Sequence, residues 1–291
     1  MSDPARQGEH TVLSVLRGAE SWLARRGTDA PKRSAELLLG AVLGMDRLQL
    51  YLAHDRPLDE HERARLRELV QKRADGVPVA YLIGTWSFRG HELAVGPAVL
   101  IPRPETEELV SLALPRAEQG GRVLDLGTGS GAIAIALAVE RPDLRVLATD
   151  ASRNALTVAA ANAARHGVAD RIEFACGSWW EAVPAGLQFQ LVVSNPPYID
   201  PANPAGLAAD VAAHEPPLAL FTERGDPASC YRAIAAGLAD RLCSGGWFVA
   251  ETGVGASDAA LALLRALPFL DQVELLADLA GIPRHLLARR A

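Results

Sequence analysis

Residues 191–198 read LVVSNPPY, and this stretch decides the fold because it marks where a buried strand must end. The run from Leu191 to Ser194 is mainly apolar, as expected for a strand inside a sheet. Two consecutive prolines cannot continue a parallel ladder, since neither has an N–H to donate. The strand is therefore predicted to stop at Asn195. Ligands of open α/β sheets bind at the carboxyl ends of the strands, so Asn195 lies at a candidate binding edge.

The two prolines also make this bend rigid. The residue before a proline is held in an extended conformation, so the side-chain amide of Asn195 and the carbonyl of Pro196 become two fixed acceptors. Tyr198 adds an aromatic face beside them. Two acceptors and a flat face match a planar –NH₂ group, which offers two hydrogens. The alternative for NPPY taken alone is a strand followed by a stiff turn that has no further role.

From Arg122 onward, short apolar runs alternate with helical patterns. Such alternation predicts an α/β fold with a mostly parallel sheet and helices on both faces. The predicted strands are 123–126, 145–150, 172–175, 191–194, 247–251 and 273–276, with a last short strand near 285–288; the predicted helices are 132–141, 154–166, 229–242 and 258–267. The Ala- and Pro-rich stretch 199–218 is predicted to be a long loop, which in a compact domain indicates function or mobility.

The first quarter of the chain has a different character. Residues 11–75 show apolar residues at helical spacing, and Asp59 with Glu62 three residues later forms a capping-box pattern. From Tyr81 the period changes to two, which predicts a β-hairpin. We therefore predict three parts: a small helical domain over 1–78, a linker with a β-hairpin over 79–100, and the α/β domain over 101–291.

The charge of the chain argues against a nucleic-acid partner. The net charge is −6; residues 1–80 hold 13 Lys and Arg against 12 Asp and Glu, whereas residues 81–291 hold 16 against 23. A protein whose main ligand is a phosphate backbone usually carries a basic face. An acidic total weakens that interpretation, although a local basic patch is compatible with it.

Targeting and metal signals are missing from the sequence. No apolar run approaches the ~18 residues of a membrane span, and Met1 to His10 lacks an apolar signal core. The three cysteines are widely spaced and fit neither a disulfide framework nor a zinc motif, and the seven histidines show no metal-ligand spacing. We therefore predict a protein of the reducing cytoplasm, with no metal and no membrane partner.

A glycine-rich turn follows the first strand of the alternating region. Residues 125–131 read DLGTGSG. Glycines there allow positive φ and a close approach of ligand to backbone, and the helix start that follows offers free N–H groups to an anion. Asp150 ends the next strand, where a carboxylate can accept hydrogen bonds from both ribose hydroxyls. Together these features predict an adenosine-cofactor site.

The identity of that cofactor depends on NPPY. The spacing from Gly127 through Gly129 to Ala132 also fits the relaxed dinucleotide fingerprint, so NAD and S-adenosylmethionine are rivals at this point. Hydride transfer has no use for a clamp on an –NH₂ group, whereas methyl transfer to nitrogen does. The combination therefore favours S-adenosylmethionine.

The pairing of DLGTGSG with NPPY resembles the class I S-adenosylmethionine-dependent methyltransferases that modify exocyclic or amide nitrogens. Within that group, the chain is similar to the HemK/PrmC family, the glutamine N5-methyltransferases of class I peptide-chain release factors. The likeness rests on YLIG (81–84), FRG (88–90), LIPRPETE (100–107), VSNPPYI (193–199), HEPPLAL (214–220), YR (231–232), ETG (251–253) and DLAG (278–281).

This resemblance implies a fold, a cofactor and a partner. The fold is a Rossmann-like methyltransferase domain with a seven-stranded, mostly parallel sheet, preceded by a helical substrate-docking domain and a linking hairpin. The cofactor is S-adenosylmethionine. The partner is a class I release factor, which is methylated on the glutamine of its Gly-Gly-Gln loop.

The resemblance also implies roles for individual residues. The loop under the methionine part of the cofactor is matched by Gly127, Thr128, Gly129, Ser130 and Gly131; the ribose ligand by Asp150; the aromatic residue near the adenine by Trp179; and the glutamine clamp by Asn195, Pro196, Pro197 and Tyr198, with Asn195 also close to the cofactor. The chain departs from the family pattern at two places. Ser178 stands where the family often has Asp, and residues 225–229 read GDPAS in place of Asp-Gly-Leu.

The predicted mechanism is an in-line displacement in which the enzyme mainly positions the amide. Asn195 and Pro196 accept the two amide hydrogens and Tyr198 stacks on the amide plane; no dedicated base is required, and the sequence offers no candidate. Three alternatives remain. They are an N-methyltransferase acting on an exocyclic base amine of nucleic acid, one acting on a ribosomal-protein glutamine, and a cofactor-binding module without catalysis.

Overall fold

The computed structural model describes residues 10–204 and 206–291. The polar segment that we expect to lack a signal core therefore lies, except for His10, outside the described residues. Contacts between Cα atoms divide the described chain into two units. The first holds the residues up to Gly84 together with Ala208–His214, and the second holds Thr85–Leu207 and Glu215–Ala291. The predicted domain bounds 1–78, 79–100 and 101–291 stay a prediction.

The elements follow one another in an order close to the predicted one. The helices are α1 (Val12–Arg25), α2 (Pro31–Leu43), α3 (Arg47–Leu52), α4 (Glu60–Ala74), α5 (Val79–Ile83), α6 (Pro104–Ala113), α7 (Ala132–Glu140), α8 (Arg153–Arg165), α9 (Ala209–His214), α10 (Pro217–Leu220), α11 (Ser229–Arg241) and α12 (Ser257–Arg265). The strands are β1 (Thr85–Phe88), β2 (His91–Ala94), β3 (Arg122–Leu126), β4 (Arg145–Asp150), β5 (Ile172–Cys176), β6 (Phe189–Ser194), β7 (Leu242–Glu251), β8 (Leu270–Ala277) and β9 (Pro283–Arg290).

The first unit is helical, as predicted. Its core is an apolar cluster that includes Leu16, Leu23 and Leu39. The predicted capping box opens α4: the Asp59 carboxylate accepts from the backbone N–H of Glu62 at 2.8 Å, and the Glu62 carboxylate accepts from that of Asp59 at 3.0 Å. These bonds satisfy donors that a helix start otherwise leaves free.

A buried arginine ties the short helix α9 into this unit. Arg73 is 5% exposed, and its guanidinium forms ion pairs with Asp29 and Asp210 and donates to the carbonyl of Val77 at 3.2 Å. A buried charge needs such partners to offset the loss of its hydration. The segment 208–214 is therefore held among the helices of the first unit.

The second unit contains a seven-stranded sheet within its described residues, in the order β5-β4-β3-β6-β7-β9-β8. The pairs from β5 to β7 are parallel, and β9 is antiparallel to both β7 and β8. This confirms the predicted mostly parallel sheet. Strand β6 lies between β3 and β7, so the strand that ends in NPPY is at the middle of the sheet.

Three of the predictions about elements were wrong. The alternation expected from Tyr81 begins at Thr85, because α5 occupies Val79–Ile83 and Gly84 ends it in a left-handed conformation. The expected long loop 199–218 contains α9 and the start of α10 among its described residues. The strand expected from Trp247 begins at Leu242, and its register against β6 shifts between Leu242 and Trp247, a stretch that contains Gly245 and Gly246.

Candidate active site

A cavity of about 460 Å³ lies at the carboxyl edge of the sheet, where β3, β4 and β6 end. Its wall includes most of the residues that the sequence singled out: Gly127, Thr128, Gly129, Ser130, Asp150, Trp179, Asn195 and Pro197. Gly131, Pro196 and Tyr198 do not line it. Residues that the sequence did not single out, among them Thr106, Thr222 and Cys230, complete the wall.

The glycine-rich turn has the conformation that its composition predicts. Gly127, Gly129 and Gly131 have φ values of 76°, 55° and 83°, a region that side chains with a Cβ rarely adopt. A Cβ at Gly131 would lie 3.0 Å from Ile135 Cδ1 and 3.2 Å from Ala159 Cβ. Gly131 therefore packs toward the helices, which explains why it does not line the cavity.

Asp125 holds the glycine-rich turn in place through two hydrogen bonds to its carboxylate. The Thr128 hydroxyl donates to Asp125 Oδ2 at 2.6 Å, and the backbone N–H of Ala134 donates to the same oxygen at 3.2 Å. Asp125 is fully buried, and this burial raises the pKa of its carboxyl to about 7. The turn is thus fixed on both sides, through Thr128 and through the first turn of α7.

Asp150 joins the glycine turn to the next loop. Its Oδ2 accepts from the backbone N–H of Gly129 at 2.9 Å, and its Oδ1 accepts from that of Ser152 at 2.8 Å. Burial raises the pKa of the Asp150 carboxyl above its ordinary value. Each carboxylate oxygen has more than one acceptor site, so both can still accept a hydroxyl from a ligand in the cavity.

The two adjacent tryptophans, Trp179 and Trp180, have different surroundings. Trp179 has a φ of 47° and lines the cavity at the start of a short 3-10 helix, Trp179–Ala182. The indole N–H of Trp180 donates to the carbonyls of Ala233 and Ile234, both at 3.0 Å. The anchored Trp180 thereby sets the position of the turn that presents Trp179.

Asn195 is tied to two residues that sequence reasoning did not assign to the site. Its Nδ2 donates to Thr106 Oγ1 at 3.0 Å, and the Thr106 hydroxyl donates to Glu251 Oε2 at 2.6 Å. Thr106 and Glu251 are 4% and 1% exposed. Burial raises the pKa of the Glu251 carboxyl to about 7, and the nearby Glu105 adds to the effect, whereas Arg284 and the Thr106 hydrogen bond oppose it.

Tyr198 lies on the other side of the same carboxylate. Its hydroxyl is 3.4 Å from Glu251 Oε1, and burial raises its pKa well above the ordinary value. Glu251 is the last residue of β7, which is paired with β6 so that Ala250 lies opposite Ser194. The ends of two neighbouring strands therefore bring Asn195, Tyr198 and Glu251 together.

Both missed residues belong to segments that the sequence singled out, but the sequence does not show that they contact Asn195. Thr106 belongs to the LIPRPETE segment, and Glu251 ends a predicted strand, where a polar side chain faces the binding edge of the sheet. An ion pair lies in the same region: Arg103 pairs with Glu215 at 2.5 Å, and the backbone N–H of Ile101 donates to Glu215 at 3.1 Å. The LIPRPETE and HEPPLAL segments are thus in direct contact.

The described residues support neither a membrane span nor a metal site. None of their helices is long and apolar enough to cross a membrane. No group of three or more His, Cys, Asp or Glu side chains in that part of the chain is arranged to hold a metal ion.

The chain matches two family models. The family model described as the methyltransferase small domain matches residues 105–212, and the model of the PrmC N-terminal domain matches residues 14–84. A solved methyltransferase from Pyrococcus furiosus has the same fold, with a TM-score of 0.50 at 16% identity over 77% of this chain and 96% of that one. The fold is thus that of a methyltransferase, and part of the chain matches a methyltransferase family model.

Two relatives identify the family within the methyltransferases. A release factor glutamine methyltransferase from Neisseria gonorrhoeae is 42% identical over 271 residues, which are 93% of this chain and 97% of the relative. One from Nitratidesulfovibrio vulgaris is 39% identical over 291 residues, or 99% and 98% of the two chains. The chain belongs to the release factor glutamine methyltransferases, as the sequence motifs predicted.

Proposed function

We propose that this chain transfers a methyl group from S-adenosylmethionine to the side-chain amide nitrogen (N5) of the glutamine in the Gly-Gly-Gln loop of class I release factors, and that it does so in the cytoplasm. One observation carries the proposal: the glycine turn, Asp150 and Asn195 line one cavity. Of the proposed clamp, Asn195 and Pro197 line that cavity, which supports placing the substrate amide beside the cofactor.

The residues of the cavity fit the proposed cofactor. Its volume of about 460 Å³ is within the range of ~300–1,000 Å³ that is common for small-molecule sites. Gly127 and Gly129 give a ligand close access to the backbone, Asp150 offers acceptors for ribose hydroxyls, and Trp179 offers a ring face. Ser178, in place of the family's Asp, removes a carboxylate that could accept from the adenine amine.

Methyl transfer to an amide requires the enzyme to position the substrate more than to activate it. When bound, S-adenosylmethionine supplies a methyl group on a sulfonium, which is a strong electrophile. A carboxamide nitrogen is a poor nucleophile because its lone pair is delocalised into the carbonyl. The Asn195 Oδ1 and the Pro196 carbonyl accept the two amide hydrogens, which turns the nitrogen toward the cavity, while Pro197 and Tyr198 hold the amide plane. Orientation of this kind is worth up to ~7–11 kcal/mol in favourable systems.

The accepting groups also stabilise the positive charge that develops on the nitrogen. The proton leaves after methyl transfer, when the nitrogen is acidic, so no dedicated base is required. Asn195, Pro196 and Tyr198 are in this sense the proposed catalytic residues.

The substrate assignment competes with two other acceptors, a base amine in nucleic acid and a glutamine of a ribosomal protein. The excess of acidic residues after residue 80 disfavours a phosphate-rich partner. The family membership and the LIPRPETE segment favour release factors over ribosomal proteins.

The experiment that tests the proposal compares acceptors directly. The full chain is incubated with labelled S-adenosylmethionine and with purified release factor, ribosomal proteins, RNA or DNA in turn, and the added methyl is located by peptide mass spectrometry. We expect label on the Gly-Gly-Gln glutamine, and its loss in Asn195→Ala, which should still bind S-adenosylmethionine. Label on another acceptor, or near-normal turnover of Asn195→Ala, would overturn the proposal.

A further inference from the structure

The clamp works only if the Asn195 amide faces the right way. Its two ends have nearly the same shape but opposite polarity, since Oδ1 accepts and Nδ2 donates. A substrate –NH₂ group needs the oxygen. The same side chain rotated by about 180° would present its own –NH₂ and repel the substrate, so some feature of the protein must select one orientation.

A chain of two buried hydrogen bonds supplies that selection. Above the pKa of about 7 that burial gives the Glu251 carboxyl, its ionised form only accepts, so the single hydrogen of the Thr106 hydroxyl is then committed to Glu251 Oε2, at 2.6 Å. Toward Asn195 the Thr106 oxygen can then act only as an acceptor. The group it meets at 3.0 Å is Nδ2, which leaves Oδ1 as the free end of the amide.

The carboxylate at the head of this chain is itself held in place. The backbone carbonyl of Glu251 accepts from the Tyr231 hydroxyl at 2.8 Å, and its Oε1 lies 3.4 Å from the Tyr198 hydroxyl. Thr106 is fixed on α6, one turn after Arg103, whose partner is Glu215. Thr106 and Glu251 are both buried, so water competes little for the bond between them.

We propose that Thr106 and Glu251 are positioning residues that set the direction of the Asn195 amide, so that Oδ1 faces the substrate nitrogen. The inference rests on the proposed function of Asn195 as the clamp. It gives the threonine of LIPRPETE and the glutamate of ETG a task in methyl transfer, although neither is assigned to touch the substrate.

The first test removes the hydroxyl of Thr106 and nearly preserves the shape of the side chain. Val has nearly the shape of Thr but no hydroxyl, so Thr106→Val can neither donate to Glu251 nor accept from Asn195. Thr106→Ser keeps the hydroxyl. We expect Thr106→Val to lower kcat by about 10- to 100-fold, with binding of S-adenosylhomocysteine within about twofold of wild type, and Thr106→Ser to restore kcat to within about threefold. Thr157→Val, which removes an exposed hydroxyl on α8, is the matched control and should leave kcat unchanged.

The second test changes Glu251, the other residue of this hydrogen-bond chain. In Glu251→Gln the new –NH₂ can donate to Thr106, which frees the hydroxyl to donate to a rotated Asn195. Since both changes release the same amide, the double variant Thr106→Val/Glu251→Gln should lose no more than about threefold beyond the worse single variant. Multiplying losses, or a Thr106→Val enzyme with more than half of the wild-type kcat, would overturn the proposal.

A third measurement does not depend on turnover. In the ¹⁵N-labelled protein, the side-chain –NH₂ of Asn195 should show one slowly exchanging hydrogen that is lost in Glu251→Gln and in Thr106→Val; identical spectra would contradict the relay. The tests separate the two proposals. If the acceptor is not the release-factor glutamine, the proposed function fails, while the spectra still decide the relay. If release factor is methylated and the variants behave as wild type, the relay alone fails.

Discussion

The ring of Tyr198 lies directly against the backbone of Gly253. A Cβ at position 253 would fall 2.4 Å from Cδ2 of the ring and 2.6 Å from Cε2. These distances are far shorter than any real contact, so the absence of a side chain at 253 is what allows the last residue of NPPY to occupy its place.

Gly253→Ala should therefore damage the site without breaking the backbone. The new methyl group must displace the Tyr198 ring, and a shift of ~1 Å in a positioning group can cost about 100-fold in rate. We expect kcat to fall by about 10- to 100-fold while cofactor binding is retained. Gly18→Ala is the matched control, since Gly18 is exposed on α1 and a Cβ there would meet no surrounding group within 4 Å. A Gly253→Ala enzyme with wild-type kcat would show that the position of the ring is unimportant.

Asp150→Ala should act on cofactor affinity. It removes the acceptor proposed for the ribose and leaves the N–H groups of Gly129 and Ser152 without their partner. A hydrogen bond to a charged group contributes about 1.5–3 kcal/mol, so we expect the Kd for S-adenosylmethionine to rise by about 10- to 100-fold in calorimetry. Asp143→Ala removes a carboxylate ahead of the amino end of the same strand, where it accepts from Gly120, and should not change this Kd. Equal affinities for the two variants would refute the assignment.

Arg103→Met should lower stability through its effect on Glu215. That carboxylate is 2% exposed and would lose its ion-pair partner. Breaking a fully buried pair costs about 3–5 kcal/mol; because Arg103 is partly exposed, we expect a loss of about 1–3 kcal/mol in the free energy of unfolding by urea. Lys72→Met, which breaks an exposed pair with Glu68, should cost less than about 1 kcal/mol. A similar loss in both variants would contradict the distinction.

Glu251 should make stability depend on pH. Its pKa is raised from 4.5 to about 7 in the folded state, so between these values the folded protein binds more protons than the unfolded chain. Stability contributed by this group is then present at low pH and is lost as pH rises toward 7. Relative to Glu251→Gln, wild type should lose up to about 3 kcal/mol between pH 4.5 and pH 7. Asp125 titrates in the same range, but it does so in both proteins, so its contribution to the pH dependence cancels in the difference. A pH-independent difference would show that Glu251 is ionised throughout.

Sequence reasoning located the features whose signal is local. The glycine turn, the position of Asp150 and the end of β6 each follow from a few adjacent residues, because positive φ, strand termination and proline stiffness are properties of short segments. The same locality explains the failure at α5. Its residues Val79–Ile83 are all apolar or aromatic and give no clear period over such a short run.

What the sequence did not reveal depends on the order of the strands. Thr106 and Glu251 are separated from Asn195 by 89 and 56 positions, and they meet it only because β7 lies beside β6 and α6 packs at the same edge. Alternating strands and helices predict a parallel sheet, but they leave open which strands are neighbours. The partners of a central residue were therefore beyond the reach of motif and spacing.

The division of the chain has a practical consequence. Residues 208–214 belong to the first unit, although the chain on either side belongs to the second. The polypeptide therefore crosses between the units at three points, and a single cut after Gly84 would not separate them cleanly. A fragment that starts at Thr85 would keep Asp210 but lose Arg73, its buried partner. Expression of the second unit by itself therefore requires that residues 208–214 be shortened or replaced as well.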